Sequence, residues 1–121
     1  MKDIFTILEE YGMDVPATME RFVNDKELYI ECFRSFLLDK EFDLLEEHLN
    51  NEDYQAAINN AHNLKGVSGN LGLTPLYQAL CLLVKALRNK DYEDARKRYV
   101  PVKNGLVHLR KLFPAWSDQQ R

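Results

Sequence analysis

The chain has 121 residues and a mass of 14.2 kDa, the usual size of one domain, which excludes a two-domain enzyme. With 45% hydrophobic and 29% charged residues and a net charge of −3, the composition is that of an ordinary globular protein and excludes a disordered chain. Charge is uneven, with 5 basic and 13 acidic side chains in residues 1–50 against 11 and 6 in residues 51–121. Oppositely charged helices lying side by side account for this better than a nucleic-acid surface, because overall acidity repels phosphate backbones.

Apolar residues recur at spacings of three and four nearly throughout, so the periodicity predicts helices and no strand. Ile4, Phe5 and Leu8 make a short first helix ended by Gly12; Asp14 caps a second, with Pro16 in its first turn. Asn24 and Glu27 have capping-box spacing and open a long helix through Phe33, Phe36, Leu37, Leu44 and Leu45 to about His48, with a kink expected near Asp39. After Asn50-Asn51, a helix through Tyr54, Ala57, Ile58, Ala61, Leu64 and Ser68 is expected to fail at Gly69 and Gly72. Thr74-Pro75 restarts the chain as N-cap and first helical residue, followed by Leu76, Leu80, Leu83 and Leu87. Asp91 caps the last helix, whose apolar register runs from Tyr92 through Pro101 to Phe113, so a kink and not a break is expected there, with Pro114 as the stop.

Four long amphipathic helices with short connections predict an all-α fold, an up-down-up-down four-helix bundle with the short N-terminal helices capping one end. Residues 1–121 are read as one domain. No apolar run approaches the roughly 20 residues of a membrane span, and Met1–Glu10 is acidic where a secretory signal is basic. Cys32 and Cys81 lie in apolar patterns, as small buried hydrophobes of a reducing compartment do, so a cytoplasmic location is expected. His48 and His108 lack metal-ligand spacing with His62 and read as surface or helix-end residues, and Trp116 falls in a polar tail.

Function must be sought where the sequence departs from good helix design. Gly66 and Gly69 occupy positions that the apolar pattern makes helical, each costing about 1 kcal/mol relative to alanine. At 100° per residue, with Ala61 at the centre of the buried stripe, His62 falls on an exposed shoulder together with Gln55, Gly66 and Gly69. The imidazole thus stands beside bare backbone, with Lys65 one turn away. An exposed helical histidine alone is an ordinary surface residue. With a nearby cation and open access it suits a phosphoryl carrier, since neutral imidazole is a good nucleophile at physiological pH and lysine offsets charge on the transferred oxygens. No carboxylate pair near His62 suggests a metal or nucleoside triphosphate site, so magnesium and much of the transition-state stabilisation are expected from a partner.

The run Ala61-His62-Asn63-Leu64-Lys65-Gly66-Val67-Ser68, with Gly72 ten residues past the histidine, closely resembles the signature of histidine-containing phosphotransfer (HPt) domains of two-component phosphorelays. Gly12-Met13-Asp14-Val15 and the approach from Tyr54 to Ala61 also resemble bacterial members. The resemblance implies that His62 is the phosphoacceptor, serving receiver domains of response regulators and hybrid histidine kinases, and Lys65 the phosphate-side cation. Gly66 would give close approach, Ser68 tight helix packing and Gly72 the helix end. Some relatives reach the imidazole with a glutamine from the next helix; the comparable residue here is Val84. The docking surface is expected around Gln55, Asn59, Gly66 and Gly69. A monomer with no cofactor of its own, and with no nucleic-acid or membrane partner, is expected. The competing reading is a helical adaptor that binds a signalling protein through the same surface without phosphorylation; nucleic-acid binding by the basic last helix is a third.

Overall fold

The computed structural model describes residues 2–113; the expectations for Pro114 and Trp116 lie outside them. The described residues are helical, with no strand: α1 (Ile4–Tyr11), α2 (Val15–Arg21), α3 (Lys26–Leu37), α4 (Glu41–Asn50), α5 (Tyr54–Asn70), α6 (Thr74–Arg88) and α7 (Tyr92–Leu112). None of these helices is long and apolar enough to cross a membrane.

Four of the seven described helices have an N-cap aspartate whose side chain closes the first turn. Asp14, Asp25, Asp53 and Asp91 each accept a hydrogen bond from the backbone N–H three residues on, satisfying one of the donors a helix start leaves open. Asp25 therefore displaces Asn24 as the cap of α3, and Asn24 instead adopts a left-handed φ of 57° in the preceding turn. The long helix expected from residue 24 to 48 is two helices: α3 ends at Leu37, and Asp39 accepts from the N–H of Glu41 at 2.8 Å to start α4 afresh. Leu73, not Thr74, is the N-cap of α6, with Pro75 in the first turn. Beyond Pro101, α7 continues to Leu112.

Helices α4, α5, α6 and α7 pack consecutively, and α3 packs on α7. Ala57, Ala61 and Leu64 of α5, Leu76, Leu80, Leu83 and Leu87 of α6, and Val102, Leu106 and Leu109 of α7 are all buried. These residues join Phe33, Phe36, Leu37, Phe42 and Leu45 in one core. Burying an aliphatic or aromatic side chain contributes about 1.5–3 kcal/mol, so this stripe dominates the stability of the fold.

The N-terminal helices meet the turn between α5 and α6. Arg21 donates to the carbonyls of Gly69 (3.2 Å) and Asn70 (3.1 Å), the last of α5, and so places a cation where the helix leaves its acceptors unsatisfied. The buried Tyr29 hydroxyl donates to Leu71 O at 2.7 Å, and its burial raises its pKa. Gly72 has a φ of +72°, and a Cβ there would lie 2.3 Å from Thr18 Oγ1, so glycine is required twice over. This locks the end of α5, the helix that carries His62.

Candidate functional site

Helix α5 carries the signature residues. It does not fail at Gly69 but runs through both glycines to Asn70, since Leu71 and Gly72 close it with backbone bonds to Val67 and Gly69. Ala57, Ala61, Leu64 and Ser68 form its buried stripe, and His62 is exposed on the shoulder, as the 100° periodicity predicts. Gln55, Asn59 and Gly66 are exposed as well.

Two glycines of α5 have different surroundings. A Cβ built on Gly66 meets nothing within 4 Å, so the missing side chain leaves open space one turn beyond His62. A Cβ on Gly69 would lie 3.0 Å from the Tyr77 ring, so there the space is taken up by α6. Gly69 is half-buried for that reason. Ser68 is fully buried, and its hydroxyl donates back to Lys65 O at 2.9 Å, which satisfies the group without a neighbour and lets α5 pack closely.

Lys65 is half-buried one turn from His62, its stem available to lie along the apolar stripe. Val84, at the place where some relatives have glutamine, is buried and has no polar group to offer. One turn further along α6, Arg88 brings Nη2 to 3.5 Å from His62 Nδ1, at the outer edge of hydrogen-bond range. Sequence reading missed Arg88. The signal was its offset: four residues past Val84 on the same helix face, a long side chain can reach back to the position that valine leaves empty.

A second polar cluster lies behind the histidine. Asn60, buried on α5, donates from Nδ2 to Glu41 Oε2 at 2.8 Å, and its Oδ1 lies 2.6 Å from His48 Nδ1; Asn63 donates to the other oxygen of Glu41 at 3.1 Å. His48 is thus half-buried and tied to α5, and is not a free surface residue. His108 is exposed and stacks on Tyr11, whose burial pushes its hydroxyl up to about 12. Cys32 and Cys81 are free and half-buried, more accessible than the apolar patterns suggested.

Grooves flank the α5 shoulder. One of about 720 Å³ between α2, α5 and α6 is lined by Arg21, Lys65, Gly66 and Tyr77, among others. Another of about 500 Å³ takes in Gln55, Ile58, Asn59, Arg88 and Lys90. Arg21 and Lys65 line the first groove together with Asp14, and Arg88 and Lys90 the second; of these cations Arg88 is the one the structure brings within hydrogen-bond distance of His62. Among the described residues no group of three His, Cys, Asp or Glu side chains is placed to hold a metal ion.

Comparison with known families decides the class: the Hpt domain model matches residues 31–112, two-thirds of the chain. The chain belongs to the Hpt domain family. No curated protein and no solved structure matches it significantly. Hpt domains serve phosphotransfer in two-component signalling, and the matched span includes all of α4 to α7 with His62 near its middle. The helices α1 and α2, which hold the end of α5, lie outside it.

Proposed function

We propose that this Hpt domain is a phosphorelay carrier, taking a phosphoryl group from a receiver-domain aspartyl phosphate onto His62 and passing it to another receiver aspartate. In this reading α4 to α7 form an up-down-up-down four-helix bundle, with α1 and α2 covering one end. The observation that carries it is the pairing of an exposed His62 with empty space at Gly66. A flat, bulky partner can then bring its phosphorylated carboxylate to the imidazole along bare helix backbone. An imidazole lone pair forms the N–P bond while the P–O bond breaks, its electron pair staying on the aspartate; the onward step reverses this. Lys65 offsets the charge on the phosphoryl oxygens.

The chain is a carrier and not a kinase, so magnesium and the acidic pocket belong to the receiver. Response regulators and hybrid histidine kinases supply such receivers. Gln55, Asn59, Gly66 and Gly69 contribute to the docking surface, and the chain acts in the cytoplasm as a monomer, which leaves the histidine face unobstructed. The test is to follow a labelled phosphoryl group from one receiver, through this chain, to a second. Label should reach the second receiver with the wild-type chain and stop at the first with His62→Gln; passage through the variant would refute the assignment.

A further inference from the structure

Arg88 reaches the His62 ring within hydrogen-bond distance, and its chemistry is one-sided. A guanidinium donates and cannot accept, so the 3.5 Å contact with Nδ1 is a hydrogen bond only if Nδ1 offers its lone pair and the ring proton sits on Nε2. Among the described residues no carboxylate pairs with Arg88, so nothing competes for it. Its place in the last turn of α6 adds the pull of the helix's own C-terminal carbonyls, which favours a cation there.

We infer that Arg88 is a positioning residue that selects which nitrogen of His62 carries the phosphoryl group. By holding Nδ1 as an acceptor it blocks that nitrogen and leaves Nε2 facing the partner. The same contact suits the resting and loaded states, because in both the substituent is on Nε2, hydrogen in one and phosphorus in the other. Attack uses the minor tautomer: the Nε2 lone pair forms the N–P bond, the P–O bond breaks with its pair on the leaving group, and the Nδ1 proton passes to water. The lone pair that Arg88 holds is thereby restored, and the ring of the phosphohistidine stays neutral. A glutamine could act as donor or acceptor at this place; arginine commits the ring to one polarity.

This inference rests on phosphotransfer at His62, but its test does not need a receiver. Ring nitrogen–proton correlations of His62, assigned against His62→Gln, are recorded for the unphosphorylated wild type, Arg88→Ala and Arg88→Glu. The proton should sit on Nε2 in the wild type and move to Nδ1 in Arg88→Glu, because a carboxylate can only accept. Phosphoramidate, a small phosphoryl donor, should then give the Nε2 isomer alone in the wild type and both isomers in Arg88→Ala. The same ring pattern in all three proteins, or an Nδ1 isomer from the wild type, would overturn the role of Arg88. Failure of receivers to phosphorylate a wild type with the expected ring pattern would instead overturn the relay and support the contact.

Discussion

Asn60 Oδ1 lies 2.6 Å from His48 Nδ1, and this bond ties α4 to the buried face of the helix that carries His62. Because the Asn60 amide nitrogen donates to Glu41, its oxygen faces His48 and accepts, so Nδ1 of His48 carries a proton. Asn60→Ala leaves the His48 donor and the Glu41 carboxylate without their partner and should destabilise the fold by about 1–3 kcal/mol. Asn63→Ala, which removes an exposed bond to the same carboxylate, should stay within about 0.5 kcal/mol. Urea unfolding of the two variants measures the contrast; equal losses would show that the network does not depend on Asn60.

Gly66 and Gly72 should respond in opposite directions to the same change. Gly66→Ala adds a methyl to open space in mid-helix and should stabilise the chain by about 0.5–1 kcal/mol, yet slow phosphoryl transfer by narrowing the approach. Gly72→Ala meets Thr18 and a positive φ together and should destabilise by about 2–4 kcal/mol. Thermal unfolding and transfer rates, measured on the same samples, separate the access role from the structural one. A Gly66→Ala chain that transfers at the wild-type rate would remove the argument from access.

Glu46 gives a pH dependence of known sign. The bonds from Lys103 (2.7 Å) and Tyr99 (3.0 Å) hold its carboxyl below the usual 4.5. The unfolded state then binds more protons between the two values, so the contribution is complete above 4.5 and lost as pH falls through the lowered value. Glu46→Gln should therefore cost under about 1 kcal/mol at neutral pH, the pair being partly exposed, and progressively less as pH falls through the lowered value. Unfolding midpoints of the two proteins, measured from neutral pH down into the acid range, test this: the difference should shrink as pH falls.

Val23 is 79% exposed and sits at a φ of 48°, a conformation that β-branched residues rarely adopt. It buries little to offset that strain. Val23→Asn should stabilise by about 0.5–1 kcal/mol, read as a rise in the unfolding midpoint.

The helices and the exposed histidine were legible because periodicity reports burial directly: Ala57, Ala61, Leu64 and Ser68 recur at helical spacing and leave His62 on the shoulder. Helix ends were less legible, since Asn24 and Asp25 are both good caps and only the backbone decides between them. The division between α3 and α4 was blurred because apolar residues continue on both sides of Asp39. Glycine spacing did not distinguish Gly66, which faces space, from Gly69, which faces Tyr77; that depends on α6. Arg88 needed the register between two helices. Asn60 was visible as a polar residue inside an apolar stripe, but not its partners, which come from α4.

The central claim is that His62 carries the phosphoryl group, and intact mass tests it most directly. The purified chain is mixed with phosphorylated receiver domains, with His62→Gln alongside. Because His62 is exposed and contributes nothing to the core, the variant should unfold at the wild-type midpoint. The wild type should gain one acid-labile phosphoryl group and the variant none. Equal gain in both, or a variant that fails to fold, would contradict the account.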